Sequence, residues 1–250
     1  MLLLLTGFVA SFFSALAGGG AGLVQFPALI ALGLPFTTAI VTHKVAVVAL
    51  GVGSSAKLLR SHRFDWRFIA LMLVAGVPGL VIGNLLALQI PAGPGKILFG
   101  LSNVAMAVYS MRRPAFGLTA QPRHREGRGL AIGLALMAFV GFLCGVFPSG
   151  PGLFATLLFL RWFGFDYQGA VAATMLMVGL VWNSIAGVTV AMAAPVPWDW
   201  IPALAVGGIL GGYAGSSLAM LKGNAFIKRA FETVTLLMGA WLLFQGLESF

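Results

Sequence analysis

Leu16-Ala17-Gly18-Gly19-Gly20-Ala21-Gly22-Leu23-Val24-Gln25-Phe26-Pro27 sets three consecutive glycines, and a fourth two residues on, between apolar runs. Flexible backbone stands where an apolar helix should be most regular. The rest of the chain supplies the setting. Of its 250 residues, 60% are hydrophobic and 8% are charged, against roughly a quarter charged in a soluble domain. Such a chain cannot cover a water-facing surface, so it is an integral membrane protein with the lipid bilayer as solvent. Apolar stretches of about 18 to 25 residues predict spanning helices, not the ten-residue alternation of an outer-membrane barrel.

The net charge of +9 would suit a nucleic-acid partner, but its distribution does not. The basic residues gather in short loops: Lys57, Arg60, Arg63 and Arg67; Arg112, Arg113, Arg123, Arg125 and Arg128; Lys222, Lys228 and Arg229. This is the positive-inside pattern of cytoplasmic loops. The single cysteine, Cys144, forms no intrachain disulfide and reads as a packing residue. Ala15-Leu16-Ala17 looks like a signal-peptide cleavage site. The segment before it has no positive charge, however, and its pattern recurs later, so it reads as mature structure.

The recurrence is an internal duplication. Gly20-Ala21-Gly22-Leu23 matches Gly150-Pro151-Gly152-Leu153; Gly33 and Ala39 match Gly164 and Ala170; Gly79-x-x-x-Gly83 matches Gly211-x-x-x-Gly215; Trp66 matches Trp198. The spacing stays near 131 residues throughout. Two transmembrane repeats, 1–111 and 129–250, therefore flank a basic cytoplasmic linker, 112–128. Each opens with two short apolar pieces around a glycine break (2–17 and 21–33; 130–147 and 152–163). Three full-length helices follow, at 37–59, 66–89 and 95–111, then at 168–192, 199–220 and 225–246.

Charge parity decides how the broken elements sit. Loops 57–67, 112–128 and 221–229 are basic, so element 130–163 must enter and leave on one side. Its limbs of about 12 to 18 residues fall short of the ~30 Å hydrocarbon core. The expected fold is thus an all-α membrane protein whose repeats each hold a glycine-broken re-entrant helical hairpin plus three transmembrane helices. Matching loops carry opposite charge character, which favours inverted repeats. The alternative is two parallel halves of four spans.

Irregular backbone at membrane depth is tolerated where it lines a cavity. A helix starting at such a break offers free N–H groups and the positive end of its dipole, an anion site in which glycine admits close approach. Gly18, Gly19, Gly20 and Gly22 of the first break, and Ser149, Gly150 and Gly152 of the second, are the candidates. The GxxxG pairs at 79–83 and 211–215 read instead as helix packing. Thr42-His43-Lys44 lies early in helix 37–59. All six acids lie in loops or near helix ends, so an anionic substrate is the natural partner of Lys44, with outward snorkelling as the alternative. His43 suits an oxyanion contact, a coupling proton or a helix–helix hydrogen bond. Thr174 is the polar counterpart of this segment in the second repeat, and Asn183 is a further candidate. Asn84 and Ser184 read as contacts between helices, and Glu232 as a local partner of Lys228 and Arg229. The sequence has no GxxxxGK[ST], no H-E-x-x-H and no cysteine–histidine cluster. No built-in ATPase, metal, cofactor or enzyme chemistry is expected.

The run from Gly18 to Pro27, followed by Gly33-Leu34-Pro35, Ala39 and Thr42-His43-Lys44, resembles the TauE/SafE permeases, the sulfite exporter family. His43 stands where many members carry asparagine. The resemblance spans the whole chain, more loosely in the second repeat. It implies a multi-pass permease of the bacterial plasma (inner) membrane whose substrate is sulfite, a sulfonate or a related sulfur-containing organic anion. The expected function is movement of a small anion by alternating access around a midplane site, with a proton or sodium as candidate coupling ion and a homo-oligomer left open. A passive anion channel and a non-transport membrane assembly factor are the rival readings.

Overall fold

A computed structural model describes residues 1–61, 64–87, 92–112, 117–147, 151–192 and 195–248. These are helical, with no strand among them. The first half contains α1 (Leu2–Ala17), α2 (Ala21–Ala31), α3 (Phe36–Ala46), α4 (Val48–Ser61), α5 (Trp66–Ala87) and α6 (Ala92–Met111). The second contains α7 (Gly127–Val146), α8 (Pro151–Arg161), α9 (Tyr167–Thr174), α10 (Asn183–Ala191), α11 (Ile201–Lys222) and α12 (Asn224–Leu247). Six helices among the described residues are long and apolar enough to cross a membrane: 38–60, 66–86, 127–146, 167–191, 201–222 and 224–247. Val74, Leu85, Val188, Leu237 and Phe244 point outward and are more than half exposed, as lipid-facing side chains are.

Gly18 ends α1. It takes φ 84°, and the N–H groups of Gly18 and Gly19 both return to Ser14 O at 2.9 Å. Gly19 and Gly20 continue at φ 155° and 100°, and α2 starts at Ala21. L-residues rarely adopt such angles, so three glycines are what lets the chain reverse here. The return is complete: Leu29 of α2 packs in one cluster with Leu3 at the start of α1. The second break behaves alike. Trp162 Nε1 donates to Gly129 O at 3.0 Å, which brings the end of α8 back to the start of α7. Pro151 opens α8, where a missing N–H costs nothing.

The halves interlock. Successive glycines of α11 meet successive turns of α1: Gly207 lies on Leu4 O, Gly211 on Phe8 O and Gly215 on Phe12 O. These two helices therefore run parallel. Gly79 and Gly83 of α5 lie in the same way on Ala138 O and Phe142 O of α7, residues 130 beyond Phe8 and Phe12. In every one of these places a Cβ would overlap backbone of the neighbour. The GxxxG pairs thus let helix backbones touch, and dispersion contact holds them. Helices α6 and α12 pair antiparallel, with Gly100 against Gly239 and Ile97 against Gly246.

Three features differ from the sequence expectation. Limb α7 has 20 residues and is long enough to span by itself, so only α8, with 11, is a short limb. The helix expected at 37–59 is interrupted at Val47, between α3 and α4. Its counterpart is likewise irregular: residues Met175–Trp182 form a π-helical segment between α9 and α10. Neither interruption carries a proline. The linker is also more than a tether. Gln121 and Arg123 donate backbone N–H groups to Gly164 O and Phe163 O, and Arg125 lies over the rings of Phe68 and Phe165.

Glu232 pairs with Lys228 as the sequence suggests, but not near a helix end. It sits within α12, and both it and Lys228 are largely buried against α6 and α9. Lys228 Nζ pairs with Glu232 Oε1 and donates to Ser110 O at 2.7 Å; Ser110 Oγ donates to Glu232 Oε1 at 2.7 Å and meets Tyr167 Oη at 2.9 Å.

Candidate functional site

The reversal of each hairpin brings its glycines to a tip, and the two tips meet. A Cβ on Gly19 would stand 2.8 Å from both Gly152 C and Leu153 N. Thr156 Oγ1 donates to Gly18 O at 3.0 Å across the junction. Beside it lies a cavity of about 60 Å³ lined by Gly19, Gly20, Ala21, Gly22 and Gly152, with Ser14, His43 and Asn183 as its hydrogen-bonding side chains. That volume holds several waters or one small ion. No side chain caps the N-terminus of α2, so its first N–H groups are available to whatever occupies the space.

The central helices pass the cavity where they are irregular. Val47 at the α3–α4 interruption, Met175, Val178 and Gly179 of the π segment all line it. The two helices touch here, Gly51 of α4 lying against the Gly179 carbonyl. π segments recur at such places in functional sites.

Neighbouring residues on a helix point about 100° apart, and α3 uses this to separate His43 from Lys44. His43 faces the cavity, and its Nδ1 lies 2.7 Å from Oε1 of buried Gln25. Lys44 turns the other way. Its ammonium, 4% exposed, donates to Asn84 Oδ1 and Gly145 O, each at 2.6 Å. The partner read from sequence was an incoming anion; the partners found are two neutral oxygens, which tie α3 to α5 and α7. The charge itself has no counter-ion in that contact. It stands next to Cys144, which lines the cavity.

The other sequence candidates divide. Gly19, Gly20, Gly22, Gly152 and Asn183 line the cavity, and Asn183 also donates to Gly179 O at 3.2 Å. Gly18 supports the junction through its carbonyl. Thr42 donates to Thr38 O within its own helix. Thr174 Oγ1 lies 3.0 Å from Thr156 Oγ1. Ser149 and Gly150 lie outside the described residues. Ser184 donates to Leu180 O and lines a separate apolar groove with Trp198.

Gln25 and Thr156 were not singled out from sequence, yet both were legible there. They stand 131 residues apart, as do His43 and Thr174. The Gln25–His43 and Thr156–Thr174 hydrogen bonds are therefore one contact repeated in each half with different chemistry. Lys44 has the same relation to Met175. Asn84, one of its acceptors, corresponds to Ser216, whose buried hydroxyl has no partner among the described residues. The half of the site that holds Lys44 and His43 faces a copy that holds threonines, a serine and Met175 in their places.

Comparison with known proteins places this geometry. The family model "Sulfite exporter TauE/SafE" matches residues 3–242. The chain belongs to the TauE/SafE family. Among its relatives, a protein of Haemophilus influenzae named "Probable membrane transporter protein" is 28% identical over 98% of this chain and 94% of its own length. YfcA of Escherichia coli, named likewise, is 27% identical over 98% of this chain and 90% of its own. YunE of Bacillus subtilis is 22% identical over 100% and 99%. No solved structure matches. These relatives match over nearly the full length of both chains.

Proposed function

We propose that this TauE/SafE protein is a membrane transporter that carries a small anion of the class of sulfite, a sulfonate or a related sulfur-containing organic anion between the two hairpin tips. The meeting of two glycine-broken helix starts at one small cavity carries the proposal. The N–H groups at the start of α2, with Gly152 at the start of α8 beside them, supply partial positive charge. Lys44 adds a full positive charge one residue from the wall, and His43, Ser14 and Asn183 supply hydrogen bonds. No carboxylate lines the cavity among the described residues. The preference for sulfur compounds comes from the family name alone.

The packing supports inverted repeats. Basic loops put the end of α4, the linker 112–128 and the end of α11 in the cytoplasm. Helices α4 and α11 then descend together, α5 and α7 rise together, and each element runs opposite to its counterpart. The hairpins then enter from opposite faces, with their tips meeting inside the protein. Alternating access follows if one half rocks against the other around that junction. The plasma membrane of a bacterium is the matching location, and a proton or sodium is the class of coupling ion.

Uptake of labelled sulfite and methanesulfonate into proteoliposomes tests this. The expected result is saturable uptake that is accelerated by unlabelled anion on the far side. Flux that rises linearly with concentration and shows no such exchange would mean a channel; absence of any flux would refute the transport reading for these substrates.

A further inference from the structure

The linker folds back over the first turn of α7 and encloses a hollow there. Gly129, the third residue of that helix, lets His124 settle on it: a Cβ at position 129 would stand 2.9 Å from the His124 ring and 3.0 Å from its Cβ. The His124 ring stacks on Trp162, with centroids 4.5 Å apart, and its Nδ1 lies 2.8 Å from Trp162 O. Trp162 Nε1 donates in turn to Gly129 O. Linker, α7 and the end of α8 are thus tied to one another around the hollow. It measures about 450 Å³ and is lined by Pro122, Arg123, His124, Arg125, Glu126 and Gly129. That is the size of a small-molecule site and has room for a phospholipid headgroup.

The charge of the lining is two arginines against one carboxylate, Glu126. The Glu126 side chain does not cap α7, so the first N–H groups of the helix add the positive end of its dipole. Arg125 rests on the rings of Phe68 and Phe165, and its buried Nε has no hydrogen-bond partner. Asp65 is the other carboxylate that acts on Arg125, and it accepts from Phe68 N at 3.2 Å. The backbone N–H of Arg123 is held by Phe163 O at 3.2 Å, which leaves its exposed side chain at the rim.

Helix α7 is long and apolar enough to span the membrane, so its first turn stands at the membrane surface. Ile132, Leu136 and Phe139 follow Gly129 at steps of three, seven and ten residues, which places all four within an arc of about 80° on the helix. The three apolar side chains are 49%, 38% and 58% exposed. A stripe open to lipid therefore leads from the basic hollow into the bilayer. A soluble phosphate compound would use the hollow alone, whereas a phospholipid uses hollow and stripe together. A zwitterionic headgroup would bring its own ammonium against the arginines; an anionic one does not.

We propose that this hollow binds one anionic phospholipid, its phosphate against Arg123, Arg125 and the start of α7, and an acyl chain along Ile132, Leu136 and Phe139. The proposal stands apart from the question of what the protein transports.

Native mass spectrometry of the detergent-purified protein, titrated with phosphatidylglycerol or phosphatidylcholine of equal chain length, tests it. The expected result is one retained phosphatidylglycerol, at a concentration about tenfold or more below that needed for phosphatidylcholine. Arg123→Gln and Arg125→Gln should each weaken phosphatidylglycerol about fivefold, the effect of one cation at a lipid surface. Arg60→Gln and Lys222→Gln remove exposed basic residues elsewhere and should leave retention nearly unchanged. Millimolar inorganic phosphate should not displace the lipid. Equal retention of the two lipids, or of neither, would overturn the proposal. So would equal losses in all four variants, which would mean general attraction to a basic surface. Displacement by inorganic phosphate would assign the hollow to a soluble anion and overturn the lipid assignment. Should Arg125→Gln fail to fold, Arg123→Gln against Lys222→Gln decides.

Discussion

Replacing Gly19 by alanine, with Gly33→Ala as its control, isolates the contact between the two hairpin tips. Both glycines hold positive φ, 155° and 100°, so both replacements strain the backbone by about 1–3 kcal/mol. They differ in space. A Cβ at position 33 meets nothing within 4 Å, whereas one at position 19 falls 2.8 Å from backbone atoms of Gly152 and Leu153. Ordinary contact begins near 3.4 Å. Those atoms are main chain and cannot rotate away, so the tips must part by about half an ångström or more. Overpacking of that kind costs about 1–3 kcal/mol beyond the strain. At about 2–4 °C per kcal/mol for a chain of this size, Gly19→Ala should melt roughly 5–15 °C lower than wild type. Gly33→Ala should fall by about half as much or less. Melting in detergent followed by tryptophan fluorescence, with and without added anion, reads both. Anion stabilisation should be lost in Gly19→Ala and kept in Gly33→Ala. Equal melting of the two variants, or anion binding that survives Gly19→Ala unchanged, would refute the claim that the tips meet at the binding space.

Lys44→Met places in the first half the residue that Met175 supplies in the second. Two charge-assisted hydrogen bonds disappear together with the desolvation of a buried ammonium, so stability should change by no more than about 2 kcal/mol. Loss of a unit charge about 8 Å from the anion, at an effective dielectric near 20, should weaken binding roughly 30-fold by titration calorimetry. Glu232→Ala leaves Lys228 buried without its carboxylate and should cost about 3–5 kcal/mol in a melting experiment, against less than 1 kcal/mol for a solvated i,i+4 pair. Gly211→Val drives a side chain into Phe8 O and should abolish accumulation of folded protein measured by fluorescence-detected size exclusion.

The first glycine break and nearly every helix boundary were legible because each rests on local chemistry: apolar length, glycine where φ turns positive, basic residues between helices. What depends on distant backbone was not. Lys44 was read as an early, inward residue of its helix, but its direction is set by Gly145 O, 101 residues further on, and by Asn84. Glu232 forms the i,i+4 pair that the sequence suggests; only the cover of Ser110 and Tyr167 from two other helices makes it buried. The interruption at Val47 follows no glycine or proline at that position. It becomes intelligible beside the π segment of the other half, since both border the same cavity. Gln25 and Thr156 are the instructive omissions, because applying the repeat spacing to His43 and Thr174 would have paired them.

Selenate and selenite resemble sulfate and sulfite and scatter anomalously, so a crystal of this protein soaked with either tests the central claim directly. The account predicts one strong selenium peak in the cavity, within hydrogen-bond distance of N–H groups at the start of α2 and beside Gly152 and His43. A peak confined to the basic loops, or none between the hairpin tips at saturating anion, would contradict it.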